Sequence, residues 1–222
     1  MSAIPGLDSF DVWQLVALAA ALGWASGIRL YAVLFIVGGL GFLHVVDLPG
    51  GLSLLAHPWV LIASAFMFFT EFFADKIPGV DTAWDVVHTF IRIPAGAALA
   101  ASVFGDEPGA AMLAAAIVGG TLAAGSHLAK TGARAVINTS PEPFSNWAAS
   151  FGEELAVGTL LWLAFAYPVA ALVVLALLVA LTIWLIPKVW RFLTAAATRV
   201  RRAFGAAPDD RRPGAHGPSA DV

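Results

Sequence analysis

The sequence of 222 residues contains no cysteine and few charged residues. Without cysteine, disulfide bonds, thiolate metal sites and thiol catalysis are excluded. Charged residues make up 12% of the chain, about half of the roughly 25% found in soluble domains. The chain also lacks a Gly-x-Ser-x-Gly motif, a phosphate-binding loop and a dinucleotide-binding glycine motif, so the common serine-hydrolase and nucleotide-binding classes are excluded as well.

Hydrophobic residues, in contrast, make up 59% of the chain and occur in long runs. A helix needs roughly 20 consecutive apolar residues to cross the hydrocarbon core of a bilayer. We therefore predict an all-α integral membrane protein with about six transmembrane helices in a bundle. The predicted spans are the apolar runs at 12–46, 53–73, 83–103, 109–129, 144–166 and 168–187, so residues 1–187 form one transmembrane domain.

The first run is too long for a single crossing, because a straight helix over residues 12–46 would measure about 50 Å. The segment "ASGIRLYA" (25–32) is the expected break, with Gly27 as its weak point. Arg29 lies in the same segment and would not face lipid. We predict a broken first helix, in which a span near 28–46 follows a segment (12–27) that spans, re-enters or lies at the interface.

The distribution of basic residues predicts the orientation. One set of connections carries Lys76, Lys130 and Arg134, whereas the loops at 47–51 and 104–109 carry only acidic charges. Because cytoplasmic loops are the Lys- and Arg-rich ones, both termini are expected on the cytoplasmic side.

After the last span, residues 188–204 carry five basic residues and form an amphipathic pattern. This pattern is typical of a cytoplasmic interfacial helix that rests on anionic lipid, and we expect no binding to nucleic acid. Residues 205–222 are polar and rich in Pro and Gly, so we predict a disordered tail.

Two cytoplasmic loops resemble each other, namely "PGVDTAW" (78–84) and "PEPFSNW" (141–147). The likeness is consistent with a duplicated helical hairpin related by an axis along the membrane normal. Two similarly built helix starts explain it equally well. In either case Thr82 and Ser145 are predicted to be N-caps.

The ionisable residues recur at helical spacing near these loops. Four sets of residues each share one helical face because of their spacing. The sets are Glu71 with Asp75; Asp85, His88 and Arg92; His127, Lys130 and Arg134; and Asn146, Ser150 and Glu153, with Glu154 adjacent. A charge at depth costs about 2.5 to 3.5 kcal/mol on insertion scales, so these faces should converge away from lipid. We predict a polar chamber in the cytoplasmic half of the bundle. Lys76, Asp81 and Glu142 lie near enough to the loops to be solvated.

The segments "ASGIRLYA", "FADKIPGVDTAWD", "AAGSHLAKTGARA" and "NTSPEPFSNW" together resemble a family of bacterial membrane proteins, the domain of unknown function 4126 family. The likeness covers roughly residues 10–190. It implies location in the bacterial inner membrane and a polar site shared by the family, and it supplies no chemistry.

The residues favour transport of a small anionic or ion-coupled solute, because buried bases, paired acids and two helix N-termini face one chamber. The predicted solute or ion site comprises Arg29, Glu71, Asp75, Asp85, Arg92, Lys130, Arg134, Asn146, Glu153 and Glu154.

Two alternatives remain open at the level of sequence. One is an intramembrane enzyme that uses a divalent metal and acts on a lipid or phosphorylated head group. Its predicted metal ligands are Glu71, Asp85, His88, His127, Glu153 and Glu154. The other is a membrane scaffold without chemistry of its own. A homo-oligomer is compatible with each of these functions.

Overall fold

The protein is a bundle of six α-helices, seen in a computed structural model that describes residues 11–77, 79–105, 109–139 and 144–205. The helices are α1 Val12–Phe42, α2 Pro58–Ala74, α3 Val80–Val103, α4 Gly109–Ile137, α5 Phe144–Ala166 and α6 Pro168–Gly205, and a 3₁₀ helix, Gly50–Ala56, precedes α2. The described residues contain no β-strand. Five helices are long and apolar enough to cross a membrane, or six if the 3₁₀ helix and α2 form one bent span. The predicted all-α membrane bundle is confirmed.

Helix α1 occupies the centre of the bundle and contacts each of the other five helices. Its start is fixed by a capping box, in which Asp11 Oδ1 accepts from the Gln14 amide and Gln14 Oε1 accepts from the Asp11 amide. In its most apolar stretch 72% of the residues are buried, against at most 33% in the other helices. Nearly every residue from Ala17 to Ile28 is buried. Residues 12–27 are therefore enclosed by other helices, and whether they span, re-enter or lie at the interface stays a prediction.

The predicted break of the first helix is confirmed, although it lies two residues beyond Gly27. Arg29 has φ −145° and ψ 75°, which is not helical. Gly27 instead permits close packing, because a Cβ atom there would collide with Ser126 Oγ and the Ala123 carbonyl of α4.

Small residues bring α1, α3 and α4 together. A Cβ on Gly23 would lie 2.6 Å from the Gly119 Cα of α4, and a Cβ on Gly96 would lie 2.6 Å from the Ala123 Cβ. Such close backbone approach through small residues is a common way for helices to associate in membranes. It also brings the polar faces of these helices within reach of each other.

The second predicted span begins later than expected. Residues 50–56 form the 3₁₀ helix, and α2 turns away from it by 74°. The new helix starts because Pro58 occupies its first position, where proline is favoured. His57 caps it, with Nδ1 accepting from the Trp59 amide at 3.3 Å.

Several predicted boundaries on the side predicted to be cytoplasmic also need correction. Helix α4 continues to Ile137 rather than ending near 129, and α6 continues through Pro187 to Gly205. Thr82 and Ser145 lie inside the first turns of α3 and α5, so neither is the N-cap.

The other predictions for this side are untested. The interfacial position of residues 188–204 and the hairpin duplication stay predictions. Residues 206–222 of the expected tail lie outside the described residues.

Candidate functional site

All ten residues predicted for the solute site come together around the break in α1. Eight of them are less than 5% exposed, and Glu153 and Glu154 have 16% and 22% of their side chains exposed. Nine are charged, and we call them the charge cluster: Arg29, Arg92, Lys130, Arg134, Glu71, Asp75, Asp85, Glu153 and Glu154. These side chains converge because each set shares one helical face, and no described helix turns that face outward.

The deepest part of the charge cluster forms around Arg92 of α3. Its guanidinium contacts Glu71 of α2 and lies 2.7 Å from Asp85 Oδ1, which is on the same face of α3 about two turns earlier. Lys130 of α4 lies 3.6 Å from Asp85 and 3.9 Å from Glu71. Two buried carboxylates thus depend mainly on one arginine.

Asp75 forms the centre of the charge cluster. Its Oδ2 lies 3.0 Å from both Lys130 Nζ and Arg29 Nη2, and 3.8 Å from Arg134 Nη2. Asp75 directly follows α2, outside the spanning segments. Burial by itself raises the pKa of Asp75, but the positive charges of Lys130, Arg29 and Arg134 outweigh it and hold that pKa below its usual value.

Arg29 connects this centre to the partly exposed edge of the charge cluster. Besides Asp75, it lies 3.3 Å from Glu153 and 3.5 Å from Glu154. Its Nη2 also donates to Ser150 Oγ at 2.6 Å. Glu153 and Glu154 are the only members with solvent- or lipid-accessible side chains, so they form the mouth of the site.

Lys76 closes one side of this mouth. Its Nζ lies 2.9 Å from the centre of the Phe72 ring and donates to Ser150 Oγ at 3.3 Å, the same hydroxyl that Arg29 contacts. Lys76 is only half-buried, but that burial lowers the pKa of its ammonium group.

Side chains of α4 satisfy the backbone around the break in α1. Ser126 Oγ donates to the Trp24 carbonyl at 2.7 Å, and Lys130 Nζ donates to the Ile28 carbonyl at 3.1 Å. His127 Nδ1 lies 3.3 Å from the Gly27 carbonyl. A broken helix is tolerated in a membrane only where neighbouring groups satisfy its freed carbonyls. The sequence "SHLAK" of α4 supplies all three groups.

A second polar network joins the ends of α3, α4 and α5 on the side predicted to be cytoplasmic. Arg134 Nη1 donates to Asn146 Oδ1 at 3.1 Å, and Asn146 Nδ2 donates to Asn138 Oδ1 at 2.7 Å. Asn138 Nδ2 then lies 2.8 Å from Asp81 Oδ1. Asp81 is fully buried, so its prediction as a solvated loop charge is wrong. Glu142 lies outside the described residues.

A comparison with protein families identifies the chain. Residues 16–188 match the family model described as "Domain of unknown function (DUF4126)". The chain belongs to this family. No curated protein and no solved structure matches it.

In this DUF4126 member the imidazoles of His88 and His127, proposed as metal ligands, contact different residues. His88 stacks on Trp84 at 4.2 Å, and its ring nitrogens lie near the Trp84 carbonyl and the Tyr31 hydroxyl. His127 Nε2 lies 2.7 Å from Thr89 Oγ1. Its Nδ1 lies 3.2 Å from Arg92 Nη1. Depending on the tautomer of the imidazole, Nδ1 either accepts a hydrogen bond from Arg92 or donates one to the Gly27 carbonyl.

The described part of the chain contains no group of three or more His, Asp or Glu side chains arranged to hold a metal ion. The spacing Asp85-x-x-His88 places both residues on one face of α3. Asp85, however, contacts Arg92, whereas His88 contacts Trp84 and Tyr31. The geometry therefore gives the divalent-metal hypothesis no support.

Each carboxylate of the charge cluster keeps one oxygen without a hydrogen-bond donor among the described residues. These oxygens are Glu71 Oε2, Asp75 Oδ1, Asp85 Oδ2, Glu153 Oε2 and Glu154 Oε1. Five carboxylates face four basic groups within the charge cluster, and the ammonium group of Lys76 at the edge interacts with Glu154 as a fifth. A proton can bind one of these oxygens without displacing a hydrogen-bond donor.

Sequence reasoning missed Asn138 and gave no role to Ser150, although both connect parts of the site. Asn138 is uncharged and lies beyond the last turn of α4, where helical spacing gives no signal. Its position at the start of "NTSPEPFSNW", a segment that carries the family resemblance, was the available clue.

Proposed function

We propose that this DUF4126 protein transports a small anionic or ion-coupled solute, with the charge cluster as the binding site. Among these possibilities, the arrangement of charges favours coupling to a proton. All four bases already lie against carboxylates, so an anionic solute has to displace one of them. A proton instead binds an oxygen that has no donor. These carboxylate oxygens without a hydrogen-bond donor among the described residues are the observation that carries the proposal.

The break in α1 supports the same function. Transporters often bind their substrates and ions where a membrane helix is discontinuous. Here the discontinuity lies on the central helix, and the residue at the break, Arg29, is itself fully buried within the charge cluster. A change in the ion pairs of Arg29 therefore acts directly on the helix that contacts every other helix.

The proposal includes a membrane setting. We place the protein in a bacterial inner membrane with both termini in the cytoplasm, because of the basic loops. Lys188, Arg191 and Arg199 of α6 are exposed, which supports contact with anionic lipid head groups.

The test is proton flux in proteoliposomes that contain a pH-sensitive dye. An imposed pH gradient should dissipate faster than in empty liposomes, and candidate anions added outside should change the rate. Glu153→Gln keeps the shape of the side chain but removes a titratable group at the mouth, so we expect at least a tenfold slower flux. Asp47→Asn removes an exposed carboxylate outside the helices and should leave the flux unchanged.

Two outcomes would overturn the proposal. One is a wild-type flux equal to that of empty liposomes for protons and for every anion tried, which is the behaviour of a scaffold. The other is equal flux in the wild type and the Glu153→Gln variant.

A further inference from the structure

Three bases of the charge cluster converge on the carboxylate of Glu153. Arg134 donates to Glu153 Oε1 from Nη2 at 3.0 Å and from Nε at 3.2 Å. Glu153 Oε2 lies 3.4 Å from Lys130 Nζ and 3.3 Å from Arg29 Nε. Each of these bases is less than 5% exposed. We call Arg29, Lys130 and Arg134 the three-base site, because together they hold one carboxylate group away from solvent.

The Glu153 carboxylate uses the three-base site incompletely. Its Oε2 accepts no hydrogen bond from the described residues, and Arg29 Nε and Nη1 find no acceptor among them. Buried polar groups without a partner are uncommon, and arginine binds a carboxylate best through two parallel hydrogen bonds. Glu153 is tethered to α5 by its backbone, whereas the carboxylate of a separate molecule can turn both oxygens to the bases. The unused donors therefore suit an untethered carboxylate.

Glu153, rather than Asp75, is the carboxylate that can give up its place. Asp75 contacts the same three bases, but it has no exposed surface, and its Oδ2 accepts a hydrogen bond from Lys130. The side chain of Glu153 is 16% exposed at the mouth of the site. It can therefore turn outward about its own side-chain bonds while the helices keep their positions.

We propose that the three-base site binds the carboxylate group of a small monocarboxylate, which takes the place of Glu153. The inference rests on the proposed function, in which an anionic solute has to displace a carboxylate, and it names the class of that solute. One monovalent carboxylate replaces another, so the net charge around the three bases is unchanged. A dicarboxylate is disfavoured, because it brings a second negative charge next to Asp75 and Glu154.

Thermal unfolding of the full-length protein in detergent micelles tests the site. The probe is propionate, which has the same heavy atoms as a glutamate side chain. The comparison compounds are uncharged propionamide, the dicarboxylate malonate, and chloride at the same sodium concentration. A ligand of the folded state raises the midpoint of unfolding, so propionate should raise it saturably, whereas propionamide and chloride should not. Malonate should require an about tenfold higher concentration for half of its effect.

Glu153 and Glu154 offer a matched pair of variants. Both side chains are partly exposed, and replacement of either by glutamine removes one negative charge from the charge cluster. Glu153 lies against all three bases, whereas Glu154 contacts Arg29 alone of the three. Glu153→Gln no longer competes as an anion, so its half-saturating concentration of propionate should be about tenfold lower than that of the wild type. Glu154→Gln should change this concentration less than about threefold.

The wild type alone can overturn the proposal, whatever the folding of the variants. It does so if propionate raises the midpoint no more than propionamide and chloride do. Equal gains in Glu153→Gln and Glu154→Gln would reflect lost charge alone and would overturn the place assigned to the solute. A malonate effect as strong as that of propionate would overturn its class. Proton flux without propionate binding would contradict this inference alone, and propionate binding without any flux would contradict the proposed function alone.

Discussion

Replacing Arg92 with glutamine should destabilise the bundle more than any exposed substitution. Arg92 has no exposed surface and is the principal partner of two buried carboxylates, Glu71 and Asp85. Removing one partner of a buried ion pair costs about 3 to 5 kcal/mol, because a charge remains without compensation. Lys130 still lies 3.6 Å from Asp85 and 3.9 Å from Glu71, so we expect the lower end, about 3 kcal/mol.

A second substitution distinguishes lost charge compensation from lost packing. In the Arg92→Gln/Glu71→Gln double variant only Asp85 remains to be paired, and Lys130 is close enough to pair with it. The double variant should therefore recover at least about 1 kcal/mol relative to Arg92→Gln, within the coupling expected for residues in contact. If packing alone mattered, the second substitution would add to the loss instead.

Unfolding in mixed detergent micelles, followed by circular dichroism, measures these differences. Arg191→Gln is the matched control, because Arg191 is exposed and its side chain donates only to the Pro187 carbonyl of its own helix. It should change the free energy of unfolding by less than about 0.5 kcal/mol. A wild-type-like Arg92→Gln variant, or a double variant less stable than Arg92→Gln alone, would refute the reasoning.

Three further changes test other parts of the structure. Gly27→Ala should lower the free energy of unfolding by about 1 to 3 kcal/mol through overpacking against α4. Gly39→Ala on the same helix meets no atom within 4 Å and should be neutral or stabilising; equal effects would argue against the close α1–α4 contact. Asn138→Leu removes the side-chain amide donor of the buried Asp81 carboxylate, which keeps the backbone amide donors of Gly79 and Thr82. It should cost about 1 to 3 kcal/mol, whereas Thr139→Val, at an exposed position, should cost little. The lowered pKa of Asp75 means that its ionised form favours the folded state, so its contribution is complete above the unfolded value of 3.8 and is lost as the pH falls below it. Acid unfolding between about pH 5 and 2 should therefore show a smaller additional loss in an Asp75→Asn variant than in the wild type, and parallel curves would contradict this.

The charge cluster was predictable from sequence because helical spacing decides which residues share a face. Glu71 with Asp75, or Asp85 with Arg92, can avoid lipid only if their faces meet. The same argument does not extend to a metal site, because one helical face is wider than a coordination sphere. His88 shares a face with Asp85, but its ring turns to Trp84 and Tyr31.

The central position of α1 was not predictable from hydropathy, since an apolar residue suits lipid and protein neighbours equally. The relevant signal was residue size. The segment "ALAAALGWASG" is rich in alanine and glycine, which suits a helix enclosed by others. Asp81 was misjudged because its burial depends on a distant residue, Asn138, which follows α4.

The position of Arg29 within the charge cluster has a consequence for how the protein is made. Arg29 of α1 leaves the ribosome before Ser150, to which it donates and which follows 121 residues later. At a synthesis rate of about 5 to 20 residues per second, that interval is about 6 to 24 s. Throughout it, a guanidinium intended for the interior lacks partners from α5. The first helix therefore has to wait at the insertion machinery or at the membrane surface, and its final placement becomes one of the last steps of assembly.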